Sequence, residues 1–175
     1  MKAAEAPLPS LKWRIGGLAA IIIIFDQLTK ALVLRTLGYE QERVVIDGFF
    51  KLVHWRNTGA AWSLFSGSND ILAIVALVAL VVLYFSRHHF DFQSGPGQVA
   101  FGLIIGGIIG NLIDRIFRKH VIDFIYFYVE RNGREIGFPA FNVADSAICT
   151  GVGIVFLLTW RNEHRTKRSE PSPAS

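Results

Sequence analysis

Residues 94–113 are twenty consecutive positions without a charged side chain. At about 1.5 Å per residue, a helix of that length crosses the roughly 30 Å hydrocarbon core of a bilayer. Residues 71–85 and 146–160 are also free of charge, and extending the second back to Phe138 adds only Asp145. Residues 15–25 are apolar, and past Asp26 and Lys30 the stretch stays apolar to Leu34. A soluble bundle needs a polar stripe on each helix, and these four segments offer almost none. The expected fold is therefore membrane all-α, with four transmembrane helices at about 15–34, 69–86, 98–116 and 141–160.

The first apolar stretch follows Lys12 and Arg14, as in a signal peptide. No small-residue cleavage pattern follows it, and Asp26 and Lys30 interrupt its second half, so it reads as a retained helix. The single cysteine, Cys149, excludes an intramolecular disulfide framework. The net charge is +4 without a basic block set among aromatic platforms, so nucleic acid is not an expected partner. Four spans put both termini on one side. Basic residues occur on both sides, and the dense tail Arg161, Arg165, Lys167 and Arg168 favours cytoplasmic termini.

The segments between the spans differ in kind. Residues 35–65 hold short apolar runs broken by Asp47-Gly48 and by Asn57-Thr58-Gly59, the pattern of short strands and turns. A small sheet there would rest on the membrane surface, with Phe49, Phe50, Trp55 and Trp62 at headgroup depth. His88, His89 and Asp91 form a poor ligand set, because adjacent histidines do not share a helix face; a wet connecting loop is the better reading, and no metal is expected. In the third span Gly102, Gly106 and Gly110 recur every four residues beside Gly107, a spacing that permits close helix contact. Residues 1–14 and 162–175 read as flexible tails on one integral-membrane domain spanning 1–175.

Ionisable side chains in membrane segments point to function. Asp26, Lys30, Asn57, Asn111, Asp114, Arg115, Asp123, Asn142 and Asp145 all fall near the outer ends of spans one, three and four, or in the segments joining them. His54 and His120 find no serine partner in Ser63, Ser66 or Ser146, and Cys149 lies a turn deeper than Asp145. What remains is a pair of carboxylates. Like charges held close cannot both ionise, so one carboxylate takes a proton from water while the other carboxyl donates to a carbonyl oxygen. The residues alone do not choose the pair: Asp26 and Asp114 rival Asp123 and Asp145.

Five motifs carry a resemblance that makes the choice: Asp26-Gln27-Leu28-Thr29-Lys30, Asn57-Thr58-Gly59-Ala60-Ala61-Trp62-Ser63, Gly110-Asn111-Leu112-Ile113-Asp114-Arg115, Val121-Ile122-Asp123-Phe124 and Phe141-Asn142-Val143-Ala144-Asp145-Ser146. In that order, over about residues 15–160, the chain resembles the lipoprotein signal peptidases, the type II signal peptidases of bacterial inner membranes. The resemblance implies a catalytic dyad at Asp123 and Asp145, with supporting residues at Asp26, Lys30, Asn57, Gly107, Asn111, Arg115 and Asn142. It implies no cofactor and no metal. It further implies four transmembrane helices, an extracytoplasmic β-cradle from 35–65, and a short extracytoplasmic helix or flap from 118–137. The implied partners are membrane lipid and diacylglyceryl-modified prolipoproteins, cut just before the lipidated cysteine by a monomer, with the cyclic peptide globomycin as an inhibitor. Two other classes fit part of the pattern. A channel or proton-coupled transporter would use buried aspartates, but at mid-depth on several helices. A lipid-modifying enzyme would call for a histidine, a metal triad or a phosphate-binding basic cluster.

Overall fold

The computed structural model describes residues 11–59, 67–86 and 94–169. The expected tails at 1–10 and 170–175, Trp62 with the end of the 35–65 segment, and the connection holding His88, His89 and Asp91 lie outside the described residues. The chain order is α1 (Leu11–Thr36), β1 (Glu42–Ile46), β2 (Phe50–Asn57), α2 (Asn69–Ser86), α3 (Gly95–Phe117), β3 (Val121–Arg131), β4 (Arg134–Gly137) and α4 (Val143–Ser169). All four helices are long and apolar enough to cross a membrane. Their large side chains, among them Ile24 and Phe25 of α1 and Val78 and Phe85 of α2, are exposed in a belt that only lipid would cover at low cost.

α3 is the central helix and packs against each of the other three. Its glycines explain how. A Cβ at Gly102 would meet Leu18, and one at Gly106 would meet Ala19 and Ile22, all on α1. A Cβ at Gly107 would run into the Ala144 carbonyl and Ile148 of α4. Two glycine rows on one helix thus let two neighbours approach to backbone contact. Ser94 starts α3 by accepting from the Gly97 amide, with a proline in the first turn.

The strands form one antiparallel sheet in the order β1-β2-β3-β4. This corrects the expectation of a short helix in 118–137: β3 and β4 lie there and complete the sheet begun by 42–57. The run Val121 to Val129 is rich in β-branched and aromatic residues. Asn132 and Gly133, with φ of 52° and 69°, then form the tight turn that two positive φ values allow, and Arg131 lies opposite Arg134. Two tails are also shorter than expected. α1 is helical from Leu11, just after Pro9, and α4 continues through Ser169. No glycine or proline interrupts the chain between Gly153 and Pro171, and Trp160 packs edge-on against His164 one turn later.

The sheet is fastened to the helix bundle by a small core of Val33 from α1 and Leu37 just after it, with Ile122 and Phe124 from β3. Side chains alternate along a strand. With Ile122 and Phe124 committed to α1, Asp123 points to the opposite side and is still buried.

Candidate active site

Two local structures bring Asp123 and Asp145 together. Phe141 bridges to Ile125, its amide donating to the Ile125 carbonyl at 3.0 Å and its carbonyl accepting from the Ile125 amide at 2.9 Å. The next residue, Asn142, is therefore held beside Asp123, two positions before Ile125. Asn142 also starts α4. Its Oδ1 accepts from the Asp145 amide at 3.0 Å, and the Asp145 carboxylate accepts from the Asn142 amide at 3.1 Å. This reciprocal capping box satisfies donors that a helix start leaves unpaired. One asparagine thus touches both aspartates, because its Nδ2 donates to Asp123 Oδ1 at 2.9 Å.

Three amides around the carboxylates share a logic. Each has its oxygen claimed by a group that can only donate, which turns its NH₂ toward an aspartate. Asn142 is oriented by the Asp145 amide. Asn57 Oδ1 accepts from the Gly59 amide at 2.9 Å, and its Nδ2 donates to Asp123 Oδ2 at 2.9 Å. Asn111 Oδ1 accepts from the Lys30 ammonium at 3.0 Å, and its Nδ2 donates to Asp145 Oδ1 at 2.7 Å.

Asp26 and Asp114, the rival carboxylates, are engaged elsewhere. Lys30 is fully buried, and its three donors meet three acceptors: Asp26 Oδ2 at 2.8 Å, Asp114 Oδ2 at 2.8 Å and Asn111. A buried ammonium is tolerable only when paired and hydrogen-bonded in this way. Asp26 Oδ1 accepts from the Ala144 amide at 3.0 Å, tying α1 to the first turn of α4. Asp114 pairs with Arg118, one turn on, and receives Gln27 Nε2 at 3.2 Å. Lys30 and Arg118, with Asp26 and Asp114, therefore form a charge-balanced knot that aims Asn111 at Asp145.

Of the residues singled out from the sequence, Asp26, Lys30, Asn57, Asn111, Asn142, Asp123 and Asp145 join this one network. Arg115 reaches it indirectly, donating from Nη2 to the Gly59 carbonyl at 2.9 Å. Gly107 offers no side chain to the network; it is contact surface for Ala144 and Ile148 of α4. Sequence reasoning passed over Asn69, which binds Arg115, and the role of Gln27, which donates to Asp114 and accepts from Arg118. Arg118 lies four residues after Asp114 and was legible by spacing; Asn69 gives no local signal.

Burial, and then the nearby Asp145 carboxylate, push the Asp123 carboxyl up to about 7, against the opposing pull of the Asn57 and Asn142 amides and Lys30. A carboxyl that titrates near neutrality is fitted to exchange protons with a reacting group. Among the described residues no group of three or more His, Cys, Asp or Glu side chains is gathered as a metal site.

Fold and site define a class: an integral membrane enzyme in which acidic side chains gather where a small sheet meets the ends of helices. Residues 18–161 match the family described as Signal peptidase (SPase) II. Among similar proteins, the lipoprotein signal peptidase of Nitratidesulfovibrio vulgaris is 42% identical over 170 residues, covering 94% of this chain and 95% of that protein. That of Bacillus pumilus is 37% identical over 153 residues, covering 87% and 96%. A solved structure described as a bacterial membrane enzyme superposes with a TM-score of 0.74 at 30% identity, covering 90% of this chain and 92% of that one. The chain belongs to the signal peptidase II family. It is by that membership a peptidase, and a multi-pass protein of a bacterial membrane.

Proposed function

We propose that the chain is an aspartic endopeptidase that removes the signal peptide from diacylglyceryl-modified prolipoproteins, cutting just N-terminal to the lipidated cysteine. The observation that carries this reading is Asn142, whose backbone and side chain hold Asp123 and Asp145 on either side of one residue. One carboxylate takes a proton from a water molecule as the water oxygen adds to the scissile carbonyl carbon. The other, protonated, donates to the carbonyl oxygen, giving a neutral gem-diol. In the second step the C–N bond breaks, the nitrogen takes a proton from the first aspartate, and the second recovers its own from the gem-diol. The amides of Asn57, Asn111 and Asn142 keep both carboxylates in place throughout.

The chain acts as one membrane domain and as a monomer, with cytoplasmic termini and the sheet on the extracytoplasmic face. There the signal helix and acyl chains stay in lipid while the scissile bond enters the polar site, which a cyclic peptide such as globomycin would block. A transporter would carry ionisable groups at mid-depth on several helices, whereas residues 71–85 of α2 hold none.

The test is signal-peptide release from a diacylglyceryl-modified prolipoprotein by purified enzyme in detergent. Asp123→Asn and Asp145→Asn each lower the rate by at least about 10³-fold while folded protein is recovered in equal amount, since each removes one of two groups that act as a unit. A chelator leaves the rate unchanged. Turnover retained by either variant would end the assignment.

A further inference from the structure

α2 is anchored by a polar residue. Of its 18 residues, only Asn69, the first, is buried. Asn69 grips Arg115 of α3 at two points: its Nδ2 donates to the Arg115 carbonyl at 3.0 Å, and its Oδ1 accepts from Arg115 Nη1 at 3.3 Å. A carbonyl only accepts and a guanidinium only donates, so the amide has one orientation. A longer contact to Asp70, 3.3 Å, uses the same Nδ2.

The other end of that guanidinium holds the Gly59 carbonyl, and the Gly59 amide orients Asn57 toward Asp123. The links therefore run Asn69, Arg115, Gly59, Asn57, Asp123, with every hydrogen bond 3.3 Å or shorter. An arginine fork held on one nitrogen presents the other in a fixed direction. With Asn69 removed, the guanidinium is free to leave Gly59, and Asn57 loses the support that fixes its NH₂.

We infer that Asn69 is a positioning residue, which acts on Asp123 through Arg115 and Gly59 and thereby sets how firmly Asn57 holds the catalytic carboxyl. The inference rests on the peptidase reading for the word catalytic, but the geometry of the chain of contacts does not. Charged groups around Asp123 come from three helices: Lys30 of α1, Arg115 of α3 and Asp145 of α4. Asn57 and the positive charge of Arg115 both favour ionised Asp123. Loosening either moves its titration to higher pH, so the two effects share one sign.

The experiment is NMR titration of ¹³C-carboxyl aspartate in full-length protein in detergent micelles, the Asp123 signal being assigned by its absence in Asp123→Asn. In Asn69→Ala the Asp123 midpoint rises by about half a pH unit or more, the size expected when one hydrogen bond to a charged group is lost. Asn57→Ala raises it as well, and Asn57→Ala with Asn69→Ala raises it little further, because the second acts through the first. If Asn69→Ala does not yield folded protein, Asn69→Ser takes its place; serine is too short to reach both the carbonyl and the guanidinium. A midpoint equal to wild type in the folded variant, or full additivity with Asn57→Ala, overturns the inference. Signal-peptide cleavage is measured on the same samples. Failure of the wild-type protein to cleave refutes the peptidase reading alone, since the titration still decides the role of Asn69.

Discussion

Asp123 accepts from Asn57 on one oxygen and from Asn142 on the other, yet burial and the Asp145 carboxylate outweigh both and hold its titration at about 7. A raised carboxyl favours the folded state at low pH, because ionising it costs more in the folded protein than in the unfolded chain. That contribution is complete below the ordinary value of 3.8 and is lost as pH rises to about 7. Thermal melts of wild type across pH 4–8 should fall relative to Asp123→Asn and level off above about 7. The difference is on the order of 4 kcal/mol at most and belongs to the carboxylate pair rather than to one member. A flat difference across that range would contradict the raised titration of Asp123.

At the scale of elements, α3 decides where α4 starts. Gly107 leaves no room for a Cβ between α3 and the Ala144 carbonyl, and Ala144 in turn gives its amide to Asp26. Gly107→Ala pushes the first turn of α4 outward, carrying Asp145 away from Asn111, at about 1–3 kcal/mol in fold stability from overpacking. Gly16 and Gly17 in α1 have nothing within 4 Å of such a Cβ. Alanine at Gly17 therefore leaves stability unchanged or raises it by up to about 1 kcal/mol. Melting temperatures and cleavage rates of the two variants check this: Gly107→Ala loses both, and Gly17→Ala loses neither. Equal behaviour would show that helix contact at Gly107 does not position the site.

For the whole molecule, the belt of exposed apolar side chains sets the protein across a bilayer but not its direction, because basic residues occur at both ends. Cytoplasmic termini and an extracytoplasmic sheet follow from the proposed function, whose substrate carries its lipid on the outer side. Cysteine placed at Glu42 in β1, on a Cys149→Ala background, should react with a membrane-impermeant maleimide in intact spheroplasts. Cysteine at Glu163 in α4 should react only after lysis. Labelling at Glu163 from outside would reverse the orientation.

Four helices were legible because a membrane span is written in one dimension: a charge-free run of sufficient length is enough, whatever packs against it. The Asp26–Lys30 pair and the Asn142–Asp145 cap were legible too, being i,i+4 and i,i+3 relations within one helix end. The strands at 121–137 were not, since the run Val121 to Phe124 is buried at every position and the apolar aromatic stretch after it lacks the alternation that marks a strand. Nor did spacing choose between four aspartates. That Asp123 and Asp145 meet at Asn142, while Asp26 and Asp114 are held by Lys30 and Arg118, depends on Lys30 of α1 reaching Asp114 of α3 and on the Phe141–Ile125 bridge setting Asn142 beside Asp123. Asn69 shows the same limit most plainly: its partner lies 46 residues away. Sequence encodes what neighbouring residues do along one helix or strand, whereas contacts across elements depend on how closely glycine-lined helices approach, and only the packed structure decides that.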